Sequence, residues 1–437
     1  MTPAAALATD AEHEMILTPE FRRAFDLLEK TRRNVFLTGK AGTGKSTFLR
    51  YFREMTEKKI AVVAPTGIAA LNIQGQTIHS LFRMKPGFIH LAEIKADRRK
   101  LYKELELLII DEISMVRADV FSGINRFLQL SRGNDQPFGG VQLCVIGDLF
   151  QLPPIVSGEE RAFFAQYHQS PFFFATQAYE AAEFHTIQFD TIHRQSDGNF
   201  IRILNAIRSG TYDATLLETL NSRVNPKVVP APGTLVLTTT NALAESINNA
   251  RLEGLPGNPH IYKGALKGEF GMKGPRLPVA EELALKVGAQ VMFVKNDGAG
   301  RWVNGTIGIV EGMSEEYIHV RVGDTFYKVE SEKWKTISYE FNAVEEKIVE
   351  KSLGSYTQFP LQLAWAITIH KSQGKTLERA IIDLGTGAFA AGQLYVALSR
   401  CKSLSGIALK QPVTHHDIRC DTGVVEFMHS LILPLSR

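Results

Sequence analysis

The stretch Gly39-Lys40-Ala41-Gly42-Thr43-Gly44-Lys45-Ser46 gathers glycines, a lysine and a hydroxyl into one short run. An apolar run, Val35 to Leu37, precedes it, and Phe48, Leu49, Phe52 and Met55 follow on helical spacing. Glycines let the backbone close around an anion with several N–H groups pointing inward. The helix that follows brings the positive end of its dipole to the same place. Strand, glycine loop, Lys-Ser and helix together predict a phosphate loop for a nucleoside triphosphate. Lys45 is expected to reach the β- and γ-phosphates, and Ser46 to hold Mg2+. Gly39, Ala41, Gly42, Thr43, Gly44 and Thr47 complete the expected cradle.

Leu107 to Ile110 is an apolar strand ending in two adjacent carboxylates, Asp111 and Glu112. Asp111 is placed to hold Mg2+ opposite Ser46, and Glu112 to take a proton from the attacking water. Adjacent acids point to hydrolysis more than transfer, because hydrolysis needs a base for water. Another strand ends in Gly147-Asp148-Leu149-Phe150-Gln151 before Leu152-Pro153-Pro154. Gln151 there suits contact with a γ-phosphate or orientation of water. Arg194, in Thr191-Ile192-His193-Arg194-Gln195, and Arg400, ending Tyr395-Val396-Ala397-Leu398-Ser399-Arg400, are candidates for stabilising transition-state charge. Spacing alone does not select these two arginines.

The elements needed to position these groups are legible around them. Thr18-Pro19 to Lys30 reads as a helix with Thr18 as N-cap and Pro19 in its first turn. Ile60–Ala64, Leu107–Ile110, Val141–Ile146, Leu235–Thr238 and Ala380–Ile382 read as buried strands of a mostly parallel α/β sheet. Such sheets place ligands at the carboxyl ends of their strands, where the distinctive residues sit. Two regions break the rhythm. Gln76 to Lys103 is rich in basic residues and carries Phe82 and Phe88, and reads as a small insertion. From about Val287 to Thr357 short alternating runs, with Asn304-Gly305 as a hairpin signal, suggest an inserted β-barrel.

At 437 residues the chain has room for several domains. A net charge of +3 gives only slight support for a polyanionic partner. Cys144, Cys401 and Cys420 lie far apart, fit no metal or disulfide spacing and suggest a reducing compartment. No apolar run is long enough for a membrane-spanning helix. The stretch Met1 to Glu14 has neither the basic start of a signal peptide nor the character of a transit peptide, and reads as a frayed tail.

In their order, these motifs resemble those of superfamily-one DNA helicases that move 5′ to 3′, and within them the petite-integration-frequency family. Gly39 to Ser46 resembles motif I, Ala64 to Ala70 motif Ia, and Gln76-Thr77-Ile78-His79-Ser80 the neighbouring DNA-contact motif. Asp111 to Met115 is similar to motif II, Gly147 to Pro154 to motif III, and His193-Arg194-Gln195 to motif IV. Ala366 to Gly374 is similar to motif V and Tyr395 to Arg400 to motif VI. The segment from Ser114 to Gly140 resembles the one that sets this family apart from its relatives.

The resemblance implies two RecA-like α/β domains in tandem after a tail at 1–15. The first comprises 16–75 and 104–185, with a wedge insertion at 76–103. The second comprises 186–286 and 358–437, with an SH3-like β-barrel at 287–357. It implies an ATP- and Mg2+-dependent helicase with Arg194 and Arg400 as arginine fingers and Gly374 at the nucleotide. Pro65, Thr66, His79, Thr368, His370 and Ser372 fall in its single-strand-binding motifs, while Arg83 and the basic residues up to Lys103 are expected at the duplex junction, with Phe82 or Phe88 as the candidate wedge. Expected partners are single-stranded DNA and its junctions with duplex, with G-quadruplexes and RNA–DNA hybrids among the family's substrates. The family's work in repair, recombination, replication and telomere maintenance is implied likewise. The chain is expected to act as a monomer, off the membrane, in a bacterial cytoplasm. One departure stands out: Phe21 follows Leu17-Thr18-Pro19-Glu20 where relatives often carry an adenine-reading glutamine. Base recognition is therefore expected from packing around Met15 and Leu17 or from backbone contacts. A DNA-stimulated translocase that does not unwind alone shares the same motifs, and a small-molecule phosphotransferase would not need the second domain.

Overall fold

The computed structural model describes residues 18–270 and 277–432, so Met15 and Leu17 lie outside the described residues. β1 (Val35–Gly39), β2 (Ile60–Ala64), β3 (Gln76–Thr77), β4 (Leu107–Ile110), β5 (Gln142–Gly147) and β6 (His185–Phe189) form a parallel sheet in the order β3-β2-β4-β5-β1-β6. Every residue of β1, β4 and β5 is buried, as strands covered on both faces must be. Phe21, Phe48 and Phe52 pack on one face and Phe121, Phe127 and Phe173 on the other. The helix Pro19–Lys30 starts where Thr18 accepts a hydrogen bond from the Phe21 N–H. Because β4, β5 and β1 are neighbours, the segments after Ile110, Gly147 and Gly39 open side by side.

After β7 (Leu235–Thr238) the chain becomes antiparallel. The strands that follow are β8 (His260–Lys263), β9 (Ala265–Gly268), β10 (Glu282–Leu285), β11 (Gln290–Phe293), β12 (Ile307–Met313), β13 (Tyr317–Val322) and β14 (Thr325–Glu330). Next come β15 (Glu332–Asn342), β16 (Lys347–Gln358) and β17 (Leu361–Leu363). They form the sheets β14-β13-β12-β11-β17, β15-β16-β9 and β10-β8 around Phe293, Trp302, Trp334 and Tyr356. β18 (Ala366–Thr368), β19 (Ala380–Asp383) and β20 (Ile407–Leu409) then join β7 in a second parallel sheet, β18-β7-β19-β20.

Four expectations need correcting. The antiparallel region runs from His260 to Leu363, wider than 287–357, because short strands flank it on both sides. Its β15–β16 hairpin also reaches the first domain, where Tyr339, Ile337 and Ile348 join the core and Arg53 pairs with Glu350. The insertion expected at 76–103 starts later, since β3 belongs to the first sheet and Ile78, Leu81 and Phe82 are core residues. Phe82 is 2% exposed with its ring edge-on to Phe127, so it is no wedge. Finally, the last helix, Thr422–Ile432, belongs with the first domain and not the second. Val424, Phe427, Met428 and Leu431 form one helical stripe, and Phe427 stacks on Phe174 with centroids 4.1 Å apart.

Asn304-Gly305 forms a turn, closed by a hydrogen bond from the Thr306 N–H to the Val303 carbonyl. It ends the long 294–306 connection and does not make a two-residue hairpin. The Asn304 side chain bonds Lys375 and Asn72 and so ties the β region to both α/β domains.

Candidate active site

The phosphate loop leaves β1 and enters the helix Lys45–Met55, with Gly44 in the left-handed region at φ 88°. Lys45 is held inside the loop, its Nζ donating to the carbonyls of Gly39 (2.7 Å) and Lys40 (2.9 Å). Gly42 has φ +81°, and a Cβ there would fall 2.6 Å from the Arg194 Cβ. The His193 N–H also donates to the Gly42 carbonyl. Motif IV therefore rests directly on the phosphate loop, and only glycine permits the approach.

Asp111 is buried at the end of β4, and Glu112 follows at φ 51°, ψ 45°. That backbone is costly for a residue with a Cβ and is characteristic of sites where geometry is fixed for function. Burial pushes both carboxyls above their ordinary range, and the Asp111 charge adds to the effect on Glu112. Gln151 is buried, its amide donating to Asp148 at 3.4 Å.

From the second domain, Arg194 donates through Nε to Thr376 Oγ1 (2.9 Å) and through Nη1 to the Ser399 carbonyl (3.1 Å). Arg400, 1% exposed, donates to the Val396 carbonyl and the Ser399 hydroxyl, both at 2.8 Å. Burial lowers the pKa of Lys45, Arg194 and Arg400, and in Arg400 the Arg194 charge adds to it. Three cations thus converge with neutral oxygens as their hydrogen-bond partners. Desolvated positive charge of this kind is an anion site.

All of these side chains line one cleft of about 640 Å3 between the domains, together with the loop from Ala41 to Thr47 and Gly374. Ser46 and Asp111, the candidate Mg2+ holders, both line it. Among the described residues no cluster of three or more His, Cys, Asp or Glu could hold a metal. One hydroxyl and one carboxylate suit Mg2+, which usually takes its remaining ligands from phosphates and water.

Several participants escaped sequence reasoning. Tyr395 Oη accepts from the Ala41 N–H and donates to Asp148 Oδ2, each at 3.1 Å. Asp148 also pairs with Arg208 at 2.9 Å. Burial pushes the Asp148 carboxyl up, but Arg208 and then Lys45 outweigh it and hold it below the ordinary value. Gln195 donates to the Ser399 and Cys401 carbonyls and fixes the strand of backbone that carries Arg400. Gly392 has φ +70°, and a Cβ there would meet the Phe150 and Gln151 carbonyls at 2.3 and 2.4 Å. Phe21 and Phe189 also line the cleft, with rings nearly parallel and centroids 6.0 Å apart.

The residues expected at DNA are spread over two places. Thr66 is exposed and caps the helix Gly67–Asn72 after Pro65. His79 and His370 are half-buried on short helical turns, and Arg83 is exposed beside Asp97. Thr368 is 4% exposed and Ser372 0%. The Thr368 hydroxyl accepts from the Lys371 N–H and the Ser372 hydroxyl donates to the Ile369 carbonyl, so both shape their turn from inside. Lys371, exposed on that turn, was not singled out. Phe88 is half-buried among His90, Phe163, Phe164 and Tyr167. Among the described residues no helix is long and apolar enough to cross a membrane.

Comparison with known proteins agrees with this geometry. The family model for PIF1-like helicases matches residues 16–217. The ATP-dependent DNA helicase Pif1 of Bdellovibrio bacteriovorus is 36% identical over 91% of this chain and 88% of its own length. The human ATP-dependent DNA helicase PIF1 is 34% identical over 91% of this chain, which spans 61% of the human protein. The structure of Bacteroides sp Pif1 with ADP-AlF4 superposes with a TM-score of 0.87, at 38% identity, over 95% of this chain and 97% of that one. Bacteroides Pif1 bound to single-stranded DNA has the same identity and coverage and a TM-score of 0.70. With its motifs, its two RecA-like domains and these relatives in agreement, the chain belongs to the PIF1-like family of ATP-dependent DNA helicases.

Proposed function

We propose that this helicase hydrolyses ATP with Mg2+ in the interdomain cleft, moves 5′ to 3′ along single-stranded DNA and opens the duplex at forks. The observation that carries this reading is the convergence of Lys45, Glu112 and Gln151 from one domain with Arg194 and Arg400 from the other. Lys45 exchanges its loop carbonyls for phosphate oxygens, and Glu112 accepts the proton of the attacking water. Arg194 and Arg400 turn from their carbonyl and hydroxyl partners to the γ-phosphate and draw the domains together, and hydrolysis releases them. Ser46 and Asp111 would hold Mg2+, which when bound would supply charge neutralisation to the phosphates. Phe21 and Phe189 offer the base an apolar wall that discriminates weakly among bases.

The family motifs suggest a DNA path across Pro65, Thr66, His79 and Arg83 on the first domain and around Thr368 and His370 on the second; the single-strand complex of the Bacteroides relative supports single-stranded DNA as the ligand. With Phe82 in the core, the partly exposed Phe88 cluster is the aromatic group left to meet a junction. The family resemblance supports G-quadruplexes and RNA–DNA hybrids as further substrates. Strand separation on matched duplexes with a 5′ or a 3′ single-stranded tail tests the reading. Unwinding of the 5′-tailed duplex alone, lost in Lys45→Ala, is expected. Strand-stimulated ATP hydrolysis without separation would instead identify a translocase that needs a partner.

A further inference from the structure

One amide joins the two residues that handle the attacking water. Gln373 Nε2 donates to Glu112 Oε2 at 2.9 Å and to Gln151 Oε1 at 3.2 Å. Glu112 and Gln151 belong to the first domain, whereas Gln373 closes the short helix Ile369–Ser372 of the second. That helix begins at Thr368 and carries His370, the residues placed at DNA above. The same stretch supports both arginines: Thr376 accepts from Arg194, and the Ser372 and Lys375 carbonyls lie 3.5 Å from Arg400 Nη1.

We propose that Gln373 is a positioning residue that restrains Glu112 until single-stranded DNA engages the turn, so that it sets the ratio of DNA-stimulated to basal ATP hydrolysis. To accept a proton, a carboxylate oxygen must face the water with a lone pair free. A donor on that oxygen competes with the water for its lone pairs and fixes which way the carboxylate faces. The restraint also binds Gln151, so base and phosphate contact are held by one side chain. A strand pressing on Thr368 to Lys371 moves the turn as a unit, because the Thr368 and Ser372 hydroxyls brace it internally. Gln373 is carried with it, and Glu112 is freed when DNA is present.

This inference rests on the DNA-stimulated reading of the cleft, and the test separates the two. ATP turnover is measured for wild type, Gln373→Leu and Gln373→Asn, with and without oligothymidylate, and thermal unfolding checks that each variant is folded. Leucine matches the size without donating, and asparagine keeps the amide but is one methylene too short. Both are expected to raise DNA-free kcat about fivefold, the scale of one lost hydrogen bond. KM for ATP stays near wild type, DNA-saturated kcat changes little, and the stimulation ratio shrinks. A folded variant with an unchanged ratio, or with both rates lowered together, overturns the restraint while leaving the helicase reading intact. A wild-type enzyme that DNA does not stimulate overturns both.

Discussion

Thr77-Ile78-His79-Ser80 in the first domain and Thr368-Ile369-His370-Lys371 in the second are one local device built twice. The threonines cap their turns at nearly the same backbone angles, φ −74°, ψ 150° and φ −72°, ψ 151°. Their hydroxyls accept from the N–H three residues on, at 3.2 and 3.3 Å. Ile78 and Ile369 are both fully buried, and both histidines are half-buried beside them. The turns differ in what they are wired to. Before the first, Gln76 donates to the Ile337 carbonyl of the β15–β16 hairpin at 2.6 Å. After the second, Gln373 reaches Glu112 and Gln151. The same turn is therefore joined to the inserted β region at one end and to Glu112 and Gln151 of the cleft at the other.

The two turns can act together only while the two domains are held in register, and the largest effect should come from cutting the link between the domains. Asp148 of the first domain and Arg208 of the second form a buried pair, with Tyr395 and Gln151 on the same carboxylate. Removing one partner of such a pair strands the other charge and costs about 3–5 kcal/mol. Arg208→Ala should lower the thermal midpoint by many degrees and ATP turnover with it. A stable, fully active Arg208→Ala protein would show that the register comes from elsewhere.

A finer cut separates the two turns. Thr77→Val and Thr368→Val each remove an N-cap hydroxyl and should cost about 1 kcal/mol of stability. Their effects on the enzyme should diverge. Only Thr368→Val should change DNA-free ATP turnover, because only that turn leads into a side chain, Gln373, that bonds Glu112 and Gln151 of the cleft. Equal shifts in basal turnover from both substitutions would erase the distinction.

The sequence was most legible where chemistry and local structure coincide. The phosphate loop, the Asp111-Glu112 strand end and Thr18 as a cap each depend on neighbours in the chain, so spacing is enough to read them. Arg194 and Arg400 came only through resemblance, because nothing local distinguishes them from solvated arginines. Tyr395, Asp148, Arg208 and Gln373 act across the domain interface, and no single-chain pattern encodes that a tyrosine will meet an N–H 354 residues away. Phe82 reads as one of two wedge candidates because an aromatic in a basic stretch looks exposed, yet it occupies the buried side of its turn. The last helix was misplaced for a related reason: its apolar stripe is plain, but a stripe does not name the core it will join. Two-residue β3 is too short for any periodicity to mark it.

The smallest effect expected is also the most symmetrical. Burial, with the Arg117 charge adding to it, lowers the pKa of His79, and burial lowers that of His370. Both rings are thus neutral in the folded protein at pH 7, and the unfolded chain takes up protons first as pH falls through 6.5. Their contribution to stability is present above that value and is lost on acidification, at no more than about 1.4 kcal/mol per pH unit for each ring. Urea unfolding at stepped pH should show the loss, and His79→Gln and His370→Gln should each flatten the curve. If only one of them does, the two turns share a backbone but not an environment. The difference would then have to come from Arg117 and, opposing it, Asp119, the charges that face His79 and have no counterpart at His370.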